Sequence, residues 1–235
     1  MRNVLHNEEE RLQGVKPGDS AVAPARETLR LGLFAIVAFA VGLIVSRAAF
    51  PPRPASVPKT ENATILNPSR DLPSFALVDQ DGRALPPDFL HGHWSLVFFG
   101  FTHCPDVCPT TLAALAQLRK QLSALSAGEQ PRVVFVSVDP ERDTPPRLKE
   151  YVRFFDPSFT AVTGTPDEVQ KVAKAFSVPF MKVPLPDGGY TVDHGAGVFV
   201  IAPSGHVVAY ASPPLVPDVL ARDYRQTVQY VSKSS

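Results

Sequence analysis

Cysteine, methionine and tryptophan are scarce in this chain: two, two and one among 235 residues. Two cysteines are too few for a disulfide-stapled scaffold, so the chain must bury a core of its own, and it is long enough to do so. A charge of one sign is lacking as well. Basic and acidic side chains number 23 each, and without a basic excess nucleic-acid binding is not expected. There is no internal repeat. Proline is abundant, at 25 residues, but much of it falls in linkers and turns and does not make the chain low in complexity.

Residues 1–28 are polar, with three consecutive glutamates, and read as a mobile tail. The run LGLFAIVAFAVGLIV that follows, 31–45, is uncharged between Arg30 and Arg47. At about 1.5 Å per residue it spans only about 22 Å, short of a hydrocarbon core of about 30 Å. Extended to 29–50, with the arginines snorkelling outward, it is expected to form one transmembrane anchor. A cleaved signal peptide is the competing reading, although the thirty residues ahead of the run are long for one. Lys16, Arg26 and Arg30 on one side balance Arg47, Arg53 and Lys59 on the other, so charge does not orient the segment. Residues 51–67 read as a proline-rich linker and 68–235 as one domain.

Within that domain, SLVFFGF (95–101) and RVVFVSV (132–138) are continuous apolar runs, as buried strands require. Helical spacing marks Pro109–Leu122, and a Thr-Pro start opens another helix at TPPRLKEYVRFF. FTAVTG is a short strand. In TPDEVQKVAKAF, Thr165 and Glu168 have the spacing of a capping box. GVFVIAPSGHVVAY reads as two strands about a turn, a last helix covers 217–232, and a small hairpin turns at Asp81-Gly82. This order predicts an α/β, thioredoxin-like (peroxiredoxin-like) sheet flanked by helices.

Both cysteines lie in GFTHCPDVCP, between a buried strand and a helix. Open α/β sheets place their chemistry in such loops, and a helix N-terminus favours thiolate over thiol. Cys104 and Cys108 are therefore candidate metal ligands or a redox pair. At helical spacing their alpha carbons would stand about 6 Å apart, within disulfide range. Among the six histidines, His6 lies in the tail, His91 and His93 in a surface loop, and His206 at a turn. His103 adjoins Cys104 and is expected to point away from it. His194, in YTVDHGAGVFV, is expected in a loop just before the strand that runs beside the cysteine strand, and it is either the third ligand or a solvent-exposed loop histidine. Two thiolates and an imidazole form a soft, three-coordinate set suited to Cu(I), whereas zinc would seek a fourth ligand. Asp106 and Asp193 are candidate auxiliary groups or solvated turn carboxylates. Asp139 and Asp143 are expected to shape a turn and cap the next helix.

FFGFTHCPDVCPTTL, VSVDPERDTP and VDHGAGVFVIAPSG, in that order, resemble the Sco/SenC family of copper-handling assembly factors. The resemblance implies that Cys104, Cys108 and His194 bind copper, as Cu(I) and also Cu(II). It implies delivery to the binuclear copper centre in subunit II of cytochrome c oxidase, with an upstream periplasmic copper donor as a second partner. It also implies a single-pass protein of the inner membrane whose domain faces the periplasm, or the mitochondrial intermembrane space. Gly195 and Ala202 depart from the family's common serine and aspartate, and neither is a ligand. On this reading the chain is a metallochaperone rather than an enzyme. The alternative is a thiol–disulfide reductase that keeps the oxidase's copper-binding cysteines reduced. A peroxidase is disfavoured because Phe101 stands where such enzymes place a threonine.

Overall fold

The computed structural model describes residues 25–49, 57–186 and 188–234. The chain divides into two units, Met1–Arg53 and Pro54–Ser235. The first contains α1 (Ala25–Ala49), built on the apolar run, with Leu33, Phe34, Phe39 and Ile44 exposed. Among the described residues no helix is long and apolar enough to cross a membrane. The uncharged stretch, 31–45, falls short of the roughly 20 apolar residues of a full span, so the span expected over 29–50 depends on the residues at its two ends. Residues 1–24 of the expected tail and 51–56 of the expected linker lie outside the described residues.

The second unit is an α/β sheet flanked by helices. Its elements in chain order are β1 (Ala63–Arg70), β2 (Val78–Asp79), β3 (Ser95–Gly100), α2 (Val107–Gln121), β4 (Arg132–Ser137), α3 (Pro145–Phe155) and β5 (Thr160–Thr163). They are followed by α4 (Pro166–Phe176), β6 (Phe180–Pro184), β7 (Tyr190–His194), β8 (Val198–Ile201), β9 (Val207–Ala211) and α5 (Pro217–Ser234). Seven strands form one sheet in the order β1-β9-β8-β3-β4-β5-β2, and β6 and β7 form a separate pair. β3, β4 and β5 run parallel, while β8 lies antiparallel to β3.

Successive side chains of β3 point to opposite faces, and both faces are covered. Leu96 shares a small cavity wall with Leu115, Leu118 and Leu220 of α2 and α5. Phe99 meets Phe176 of α4 and Phe199 of β8 at 5.2 and 6.1 Å. A strand enclosed in this way must be apolar throughout, which is why SLVFFG reads as an unbroken run.

Three expectations need correction. The sheet begins at Ala63, inside the segment assigned to the linker: Ala63–Ile65 pair with β9 as an edge strand, where Pro68 is tolerated. Thr165 accepts the Glu168 N–H at 3.3 Å, but the Glu168 carboxylate turns away to the Ala76 N–H at 2.9 Å. The capping box is thus half formed, because that carboxylate ties down the segment leading to β2. Third, His194, expected in a loop, closes the second strand of a two-stranded hairpin, β6 with β7, whose five-residue strands are too short to stand out in the sequence.

β1 is held to α5 by one buried carboxylate. Asp223 accepts the backbone N–H groups of Glu61, Asn62 and Ala63 at 3.0, 2.8 and 2.9 Å. Asp223→Ala would strand these donors and is expected to cost about 3 kcal/mol in urea denaturation. Removing the exposed Arg222–Glu61 ion pair with Glu61→Ala should cost under about 1 kcal/mol. Equal costs for the two would contradict this assignment.

Candidate metal centre

The chain leaves β3 at Gly100 and turns through the cysteine motif into α2. Asp106 heads that helix, yet its side chain makes no capping bond. The Cys104 sulfur takes that place, accepting the Cys108 N–H at 3.4 Å. Cys108 is fully buried against the end of β3. A methyl group at position 100 would come within 2.8 Å of its sulfur and 2.7 Å of the Phe135 ring. Only glycine lets the sulfur approach this closely.

His194 closes β7, opposite Phe180. Its ring packs edge-on against Phe98 and Phe101, with centroids 6.3 and 5.8 Å away. Nδ1 lies 2.9 Å from the Gly195 carbonyl oxygen. A carbonyl can only accept, so Nδ1 is the donor there, and Nε2 is the ring nitrogen turned to the sulfurs. Nε2 is 3.5 Å from Cys108 Sγ. Cys104 Sγ, Cys108 Sγ and the imidazole nitrogen all lie within 4.8 Å of one another, and neither cysteine is in a disulfide. A trigonal site with bonds of about 2.3 Å needs donors about 4 Å apart. The three donors therefore fit one ion with little movement.

The two sulfurs are electrostatically unequal. The Cys108 S–H donates to Cys104, and the backbone N–H groups of Cys108 and Asp106 add to it. Against the cost of burial, these bonds push the Cys104 thiol down to about 5. The Cys108 thiol is pushed far up, first by its bond to Cys104 and then by burial. At neutral pH Cys104 is the anion and Cys108 keeps its proton.

The remaining candidates fall elsewhere. Asp193 is exposed beside His194, and Asp106 takes the Thr110 hydroxyl at 3.4 Å. Neither joins the three-donor cluster. Asp139 and Asp143 do shape their turn, but they cap nothing: both are fully buried and face the ligand-bearing segments. Thr144 heads α3 instead. His103 is exposed and contacts the Thr102 hydroxyl at 3.3 Å, while His206 pairs with Asp71 at 3.1 Å. Gly100, Arg142 and Tyr190 were not singled out from sequence. Gly100 alone left a signal there, as a glycine closing a buried strand just before the cysteines.

The unequal thiols can be tested by alkylation of the native, reduced protein. Iodoacetamide is expected to modify Cys104 alone, with a rate midpoint near the pKa of about 5, because the thiolate is the nucleophile. Cys108 should react only after unfolding. A midpoint near 9, or prior modification of Cys108, would contradict the assignment.

Residues 65–229 match the SCO1/SenC family. A Stutzerimonas stutzeri protein named for copper binding is 37% identical over 161 residues, covering 68% of this chain and 78% of that one. The human mitochondrial SCO1 homolog is 38% identical over 138 residues, which are 58% of this chain and only 46% of the human one. The crystal structure of Arabidopsis thaliana ScoI with copper bound aligns with a TM-score of 0.64 at 35% identity, over 68% of this chain and 99% of that one. BsSco is described as a member of the Sco family of cytochrome c oxidase assembly proteins with a disulfide switch. It aligns with a TM-score of 0.54 at 26% identity, over 73% of this chain and 98% of its own. The thioredoxin-like sheet expected from the order of elements is the fold of these structures. The chain belongs to the SCO1/SenC family.

Proposed function

We propose that this protein binds one copper ion through Cys104, Cys108 and His194. It delivers the ion to the binuclear copper centre in subunit II of cytochrome c oxidase during assembly, after loading from an upstream periplasmic donor. The observation that carries this reading is the convergence of two free sulfurs and the outward-facing imidazole nitrogen of His194 within 4.8 Å. Copper bound in the Arabidopsis relative and the oxidase-assembly description of BsSco support the metal and a role in cytochrome c oxidase assembly. Two thiolates suit Cu(I), and the imidazole extends the set toward Cu(II), which prefers nitrogen and more ligands. Loading Cu(I) displaces one proton per ion, from Cys108, because Cys104 is already a thiolate. A disulfide between the cysteines blocks loading.

The unequal thiols also suit thiol–disulfide exchange, with Cys104 as the attacking sulfur. That reading gives His194 no role as a ligand, whereas copper binding uses its position and distance. His194→Ala separates the two. It is expected to lower Cu(II) affinity by more than about a hundredfold and to impair oxidase assembly, while reduction of a disulfide substrate persists. Cys108→Ala should abolish stoichiometric Cu(I) binding. Unchanged copper affinity and intact oxidase assembly in His194→Ala would reverse the ranking in favour of the reductase.

The tether is the apolar segment 29–50, which holds the domain on the periplasmic side of the inner membrane. Apolar side chains exposed along α1 support the tether, though not its side. The full chain should remain with membranes after alkaline carbonate washing, and a chain lacking residues 1–56 should be released. Release of both would remove the tether from the account.

A further inference from the structure

Among the described residues the hairpin bearing His194 shares no strand with the seven-stranded sheet, and β6 and β7 pair only with each other. Its position therefore depends on side-chain contacts: His194 packs against Phe98 and Phe101, Val192 is buried, and one turn between β4 and α3 supplies polar contacts to Tyr190 and Lys182. Asp139, fully buried, accepts the Tyr190 hydroxyl at 2.8 Å and Arg142 Nε at 2.5 Å. Arg142 Nη1 donates to the Tyr190 carbonyl oxygen at 2.8 Å, and its guanidinium lies 3.7 Å from the centroid of the Tyr190 ring. Lys182 of β6 pairs with Glu141 at 2.5 Å.

The same turn grips the cysteine loop. Asp143 accepts the Thr102 N–H at 3.0 Å, the Thr102 hydroxyl at 2.6 Å and the Ser137 hydroxyl at 2.7 Å. Arg142 also lies 5.8 Å from the Phe101 ring, which in turn packs against His194. Four residues of this turn, Asp139, Glu141, Arg142 and Asp143, thus touch both segments that carry the three donors without supplying a donor.

We propose that Asp139, Arg142 and Tyr190 are positioning residues that hold the His194 arm against the cysteine pair. They decide whether an incoming copper ion meets three donors or two. The inference rests on the copper-binding reading above. Its force comes from the chemistry of the joint. A hydroxyl bonded to a buried carboxylate is charge-assisted, and a guanidinium can bond that carboxylate and a carbonyl while stacking on a ring. Lysine can do only part of this. Groups that orient a metal ligand typically change metal affinity ten- to a hundredfold when removed.

The test uses Tyr190→Phe, which keeps the ring and its stacking, and Arg142→Lys as a second variant. In Tyr190→Phe, Cu(II) affinity is expected to fall about tenfold and the nitrogen hyperfine signal of the bound ion to weaken, while Cu(I) affinity changes less than about threefold. Combined with His194→Ala, Tyr190→Phe should add no further loss, since its effect passes through that ligand. Wild-type Cu(II) affinity with an intact nitrogen signal, or a loss that adds in full to that of His194→Ala, would overturn the proposal. Amide hydrogen exchange on the copper-free protein gives a metal-independent readout. Faster exchange in β7 of either variant, with β3 unchanged, supports the clamp; wild-type rates in both variants overturn it. If the wild-type protein binds no copper, the proposed function fails, and the exchange data still decide the clamp.

Discussion

Every feature of the site depends on one strand pairing, that of β8 antiparallel to β3, with Phe98 opposite Val198. β3 delivers the cysteine loop beyond its carboxyl end. β8 runs the other way, so the residues just before it arrive at the same edge. His194 precedes β8 by a few residues and thus reaches the cysteines from 86 positions away. No local sequence signal could produce that approach; it follows from topology. The pairing is itself secured by burial, since Phe98 and Phe99 of β3 are wholly enclosed and Phe199 packs across from Phe99. A slip of one residue would turn Phe98 and Phe99 to the wrong faces.

The chemistry then follows from how each donor is finished locally. The Cys104 sulfur acts as a helix cap, which stabilises its anion. Cys108 is pressed against a glycine that makes room for it. His194 donates its Nδ1–H to a neighbouring carbonyl and turns Nε2 to the sulfurs. Binding a metal then costs little rearrangement, and one proton is the main thing displaced. The same two sulfurs could form a disulfide, so copper occupancy and oxidation compete for one pair of atoms.

Much of this was legible in the sequence. The runs SLVFFG and RVVFVS are strands because a parallel sheet covered on both faces demands continuous apolar side chains. The cysteine spacing, with a helix start behind it, marked the loop, and the order of elements placed His194 nearby. The illegible parts share a physical cause. β6 is mostly exposed and lacks an alternating apolar pattern, and the alternation of Tyr190 and Val192 with Thr191 and Asp193 in β7 is too short to stand out. β1 is an edge strand broken by proline and bulged between Ile65 and Arg70. Asp139 and Asp143 looked like turn and cap residues because that is what acidic groups beside a Thr-Pro helix start usually are. Their actual partners, Tyr190 and Thr102, lie 51 and 41 residues away. Long-range polar contacts of this kind leave no periodicity to read.

The central claim is that one copper ion sits between two sulfurs and one imidazole nitrogen. X-ray absorption at the copper edge, on the reduced protein loaded with one equivalent of Cu(I), tests it most directly. The account predicts a shell of two sulfurs and one nitrogen, reduced to sulfur scattering alone in His194→Ala. A shell of nitrogen and oxygen without sulfur, or a spectrum unchanged in Cys104→Ser and Cys108→Ser, would contradict it.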